Sequence, residues 1–120
     1  MYSAEELKEL EQICVEIAPY DVGLSVCVDP NLKKKVLGMV CGVESETNIY
    51  MIFPEYKPKT RYIVHELMHV LDELNKFIND ELKLEARAYL VENLFVKTNM
   101  ILKKLKQDKL DAVLDGLGEE

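Results

Sequence analysis

Thr60-Arg61-Tyr62-Ile63-Val64-His65-Glu66-Leu67-Met68-His69-Val70-Leu71-Asp72-Glu73-Leu74-Asn75-Lys76 is the stretch on which the reading of this chain turns. Thr60 offers an N-cap hydroxyl, and the segment from there to about Lys76 predicts a helix. At about 100° per residue, Ile63, Val64, Leu67, Met68, Val70, Leu71 and Leu74 fill one arc. Tyr62, His65, Glu66, His69, Asp72, Glu73 and Lys76 fill the opposite one. Both histidines fall mid-way across the polar arc, which argues against imidazoles satisfied inside a core. Their spacing of four sets one ring above the other, so that both reach a single ion. Glu66 is turned by about 100° and can approach a water held by that ion. His65-Glu66-Leu67-Met68-His69 has the H-E-x-x-H form that binds zinc, with the glutamate as general base. Coincidence is the competing reading, and it is weakened because the chain has only two histidines.

Catalytic zinc takes three protein ligands and a water. With no third histidine, the remaining ligand is a carboxylate or a cysteine. Glu85 is the first candidate, because in Glu85-Ala86-Arg87-Ala88-Tyr89 small alanines flank it and allow close helix approach. The short Phe77-Ile78-Asn79-Asp80 connection folds that second helix back beside the first. Glu81, Glu92 and Asp72 are alternatives, each of which also reads as an ordinary solvated carboxylate. Tyr62, Tyr89 or Tyr56 would have to stabilise an oxyanion, unless the metal does so alone.

Around this centre the pattern is α+β. Leu7, Leu10, Ile13, Cys14 and Ile17 recur at steps of three and four, predicting an amphipathic helix over residues 4–17 that Pro19 and Gly23 end. Three strands follow, at Leu24 to Val28, Val36 to Val43 and Asn48 to Phe53, the last two forming a hairpin. Gly38 and Gly42 weaken the second strand or mark a bulge or close backbone approach. Pro54 to Lys59 is a loop. A long helix is expected from Glu81 to about Lys106, and a short one over Asp111 to Leu117. The 120 residues predict one domain, 1–120, with residues 111–120 as an acidic tail.

Composition narrows the function. A formal net charge of -7 opposes nucleic acid and anionic membrane as partners. No run approaches the roughly 20 apolar residues of a membrane span. The acidic N-terminus lacks the basic-then-apolar form of a signal peptide, which predicts a cytoplasmic protein. Cys14, Cys27 and Cys41 lack close pairing and read as reduced thiols, although Cys27 and Cys41 are expected on neighbouring strands where a bridge is conceivable.

Together, His65-Glu66-Leu67-Met68-His69 and the later Glu85-Ala86-Arg87-Ala88-Tyr89 resemble a gluzincin, the zincin branch whose third ligand is a glutamate on a later helix. The length, leading helix and three strands resemble the minigluzincins, small soluble scaffolds related to catalytic domains of integral-membrane metallopeptidases. The resemblance implies a minimal zincin fold and a zinc metalloendopeptidase acting on a peptide or protein substrate. His65, His69 and Glu85 would hold Zn2+, and Glu66 would be the catalytic base. It implies that the strand before the active helix, Ile49 to Phe53, is a rim for an extended peptide, with a central, fully paired strand as the alternative. It also implies a latent zymogen with the C-terminal segment in the cleft, against the alternative of a frayed, solvated end.

Two other classes compete. One is a catalytically inactive, regulatory zinc-binding module. The other is a metal-free interaction protein whose Leu90, Leu94, Ile101 and Leu105 stripe pairs with another chain, a stripe read more simply as core. A repressor-cleaving metallopeptidase is a related enzymatic option, but no DNA-binding module accompanies the motif. The expected state is a monomer or small homo-oligomer.

Overall fold

A computed structural model describes residues 2–32 and 36–118. Helix α1 spans Ala4–Glu9, strand β1 Glu11–Ile17, β2 Val22–Val28, β3 Met39–Val43 and β4 Asn48–Phe53. A single 3-10 turn, Glu44–Glu46, joins β3 to β4. Helices α2, Thr60–Ile78, and α3, Leu84–Gly118, complete a mixed α+β fold. The sheet has four strands in the order β1-β2-β4-β3. β2 and β4 run parallel, and the two outer pairings are antiparallel.

The helix expected over residues 4–17 stops after Glu9 and gives way to a fourth strand. Ser3 starts α1 with a capping box: its hydroxyl accepts from the Glu6 amide, and Glu6 accepts from the Ser3 amide. Leu10 then turns to extended backbone. Within Glu11–Ile17 the β-branched residues Ile13, Val15 and Ile17 alternate, and all three pack on the main core. The seven residues carry both a three-four spacing and a two-residue alternation, and pairing with all of β2 selects the second.

Other boundaries shift modestly. β2 starts two residues before the expected Leu24, and β3 starts at Met39 instead of Val36. Lys59 takes the N-cap position of α2 without a side-chain bond, so Thr60 is the first helical residue and not the cap. Asn79 ends α2 in the left-handed conformation, φ 51°, with its amide returning to the last turn. α3 begins three residues after the expected Glu81 and runs unbroken through Asp111–Leu117, so no separate C-terminal helix forms.

Alternation sorts the sheet into two faces. Leu24, Val26, Val28, Ile49, Met51 and Phe53 pack beneath Ile63, Leu67, Val70, Leu71 and Leu74 of α2 and Leu90, Leu94 and Ile101 of α3. Cys27, Tyr50 and Ile52 form a smaller cluster with Leu7 on the other side. β4 is buried at all six positions, as suits a central strand covered on both faces. Because β4 lies between β2 and β3, Cys27 and Cys41 are not on neighbouring strands, and all three cysteines are free.

Candidate metal centre

α2 lies over β3 and β4, its buried face set by Ile63, Leu67, Val70, Leu71 and Leu74. That packing leaves His65 and His69 exposed on the opposite side. Their Nε2 atoms approach to 3.2 Å, with ring centroids 4.9 Å apart and planes crossed at 77°. Two nitrogens bound tetrahedrally to one zinc at about 2.0–2.1 Å stand about 3.3 Å apart. The separation matches that spacing, and it also fits a hydrogen bond from one ring's N–H to the nitrogen of the other.

Three arc assignments from the sequence are corrected. Glu66, placed with the polar residues, is only 6% exposed, while Val64 and Met68, placed with the apolar ones, are exposed. The polar side of α2 faces an open cleft, and Glu66 sits on the side of that cleft where the start of β3 closes over the helix. Gly38 makes this possible. A Cβ there would lie 2.6 Å from Glu66 Cγ and 2.9 Å from Cδ. The close backbone approach that glycine allows in a strand is realised here. Burial pushes the Glu66 carboxyl above the usual carboxylate range, and the neighbouring His65 and His69 partly offset this. Four residues on, within β3, a Cβ at Gly42 would likewise meet Glu73 and Phe77, so the chain from Gly38 into β3 follows α2 in the same direction.

The cleft between them is lined by Gly38, Met39, Val40, Glu66, His69 and Asp72 among others. An adjoining hollow holds His65, Glu66, Arg61, Tyr62 and Leu37. The free strand beside this cleft is β3, at the edge of the sheet. Of the two roles open to Ile49 to Phe53, the rim is ruled out and the central strand holds: β4 is hydrogen-bonded on both sides.

Of the carboxylate candidates only Asp72 lines the cleft with His69. Glu85 is exposed in the first turn of α3. It lies about 160° around that helix from Arg87, which faces α2 and pairs with Asp72 at 3.5 Å. Ala86 is half-buried against the core, but Ala88 is exposed and Glu85 is turned outward. Glu81 and Glu92 are also exposed, and Asp72 is engaged by Arg87. Among the described residues no group of three His, Cys, Asp or Glu side chains is disposed to hold a metal ion. Of the tyrosines, only Tyr62 lines the cleft, where its hydroxyl accepts from Arg61 at 3.0 Å. Tyr56 donates to Glu11 at 2.5 Å, and Tyr89 lies on the outer surface of α3.

Asp111–Leu117 is exposed helix, and none of these residues lines the hollows around Glu66. Glu119 and Glu120 lie outside the described residues. No helix among the described residues is long and apolar enough to cross a membrane. Comparison of the chain with protein-family models, curated proteins and solved structures finds no match.

Proposed function

We propose that the chain is a zinc-dependent metallopeptidase of gluzincin type, with the minimal zincin fold that its resemblance implies. The observation that carries this reading is the 3.2 Å convergence of His65 and His69 Nε2 beside the buried carboxylate of Glu66. His65 and His69 would hold zinc. Glu85 is the third ligand that the resemblance implies, although it faces outward on α3, and Asp72, which lines the cleft with His69, is its competitor. When bound, zinc supplies Lewis acidity toward a scissile carbonyl and toward water.

The protein's own groups do the rest. Glu66, with its raised carboxyl pKa, takes a proton from the attacking water and passes it to the leaving amine. A carboxyl held above its ordinary range is better matched to both halves of that transfer near neutrality. The unpaired edge of β3 offers main-chain hydrogen bonds to an extended peptide, which orients a substrate without demanding sequence. Tyr62 stands in the same cleft as the candidate oxyanion donor. Gly38 positions the base and does not itself touch substrate.

A second reading is a zinc-binding module without hydrolytic activity, favoured by the outward face on which Glu85 stands. Zinc analysis of the purified protein, with peptide hydrolysis measured alongside, separates the two. The expected result is one zinc per chain, lost in His65→Ala, His69→Ala and Glu85→Ala, together with cleavage lost in Glu66→Gln while zinc stays. Zinc without cleavage supports the module. No zinc uptake by the parent protein removes both readings.

A further inference from the structure

α3 has two apolar faces. Leu90, Leu94, Ile101, Leu102 and Leu105 form the buried one, so the stripe noted in the sequence is core. The second face is open: Tyr89, Val96, Met100, Leu110, Leu114 and Leu117 are 48–67% exposed. These residues keep a seven-residue period. Tyr89, Val96, Lys103, Leu110 and Leu117 occupy one position of the repeat, and Asn93, Met100, Gln107 and Leu114 the position four residues on. Steps of four and three alternate without a break along the helix, which is the seam of a coiled coil. Beyond Leu105 every described side chain of α3 is exposed, so the last three turns or so project free of the sheet.

We infer that this outward face is a homodimer interface in which two copies of the chain pair their α3 helices in parallel and in register. Three observations choose that occupant. First, six large apolar side chains stay 48–67% exposed at one repeating position pair along the helix, which is more than the single scattered residues usual on a monomer surface. Second, the flanking charges are self-complementary. In parallel register Glu92 meets Lys97 of the partner subunit, and Lys106 meets Asp111 of the partner subunit, at the positions that set orientation in two-stranded coils. Antiparallel pairing over the whole stripe sets lysine against lysine, Lys97 opposite Lys104 of the partner subunit. Third, Tyr89, Glu92, Asn93, Val96, Lys97 and Met100 line a surface groove. They make two successive four-residue holes of the kind that receive a partner's knobs. Asn93, at a seam position, pairs with its own copy only in this register. Lys103 and Gln107 keep the middle of the seam polar, which lowers affinity and protects solubility.

Sedimentation of the full chain tests this independently of the metal centre. The parent protein is expected to reach twice the 13.8 kDa chain mass. The Val96→Glu/Met100→Glu double variant is expected to stay monomeric with an unchanged far-ultraviolet spectrum, since both side chains are exposed. Mild oxidation of Leu114→Cys is expected to give a dimer linked through position 114, which parallel register allows and antiparallel pairing, with 114 opposite 87, does not. A parent protein monomeric up to millimolar concentration overturns the inference. So does a dimer that survives the double glutamate change, or one that Leu114→Cys fails to link.

Discussion

A methyl group on Gly38 would stand 2.6 Å from Cγ and 3.1 Å from Oε2 of Glu66, well inside ordinary van der Waals separation. The carboxylate of α2 and the backbone of the edge strand thus occupy one another's closest possible space. Gly38→Ala is expected to move the Glu66 carboxyl while leaving His65 and His69 in place. Zinc content should persist, kcat/KM should fall by about 10²-fold as for an ångström-scale misplacement, and the fold should lose about 1–3 kcal/mol to overpacking. Metal analysis, peptide hydrolysis and denaturant melts of one preparation read all three. Full activity would show that the glycine does not position the base.

The Thr98 hydroxyl is fully buried and has no hydrogen-bond partner among the described residues. An unpaired buried hydroxyl is a cost that an apolar group of the same shape removes. Thr98→Val is expected to stabilise the protein by about 1 kcal/mol, seen as a higher denaturant midpoint at constant slope. A lower midpoint would mean that the hydroxyl finds a partner in solution.

Burial and, secondarily, the neighbouring thiols push Cys27 up to about 12, and burial also raises Cys41. Thiolate is the reactive form. Alkylation at mildly alkaline pH should therefore modify exposed Cys14 first, half-buried Cys41 more slowly and Cys27 only on unfolding. Peptide mapping of the label reads the order. Early labelling of Cys27 in folded protein would contradict its burial in the cluster with Leu7, Tyr50 and Ile52.

Burial, and then hydrogen bonds to Glu46 and Glu11, raise Tyr50 and Tyr56 from an ordinary value of 10.0 to about 12 each. Phenols are neutral when protonated, so a raised folded value favours the fold below the unfolded pKa. That contribution is complete below pH 10 and is lost as the pH rises through about 12. Near-ultraviolet absorbance should show these two phenols titrating well above an exposed one. Tyr56→Phe should flatten the fall of stability across the same window. An unchanged slope would mean that the Tyr56–Glu11 contact does not persist in solution.

Much of the architecture was legible because strong local signals agreed with the tertiary outcome. α2 had a continuous apolar arc, β4 a run without polar interruption, and the β3–β4 hairpin a short polar link. The same reasoning failed over Glu11–Ile17, where Ile13 and Ile17 fit a helix spacing and, with Val15, a strand alternation equally well. Only the seven-residue ladder to β2 separates the two. The identity of the edge strand was hidden for a related reason. A parallel β2–β4 pairing joins strands far apart in the chain, and no local pattern encodes it.

At the candidate site, the sequence by itself determined the juxtaposition of His65 and His69. A four-residue step on a helix leaves little choice about which rings meet. The tertiary structure decided what surrounds them. Glu66 is buried because the backbone at Gly38, just before β3, lies against α2, and Glu85 faces outward because Leu90, Leu94 and Ile101 fix the rotation of α3 about its axis. Helical periodicity relates residues within one element. The rotation of one helix against another depends on which of its faces buries more apolar surface, and on α3 both faces competed.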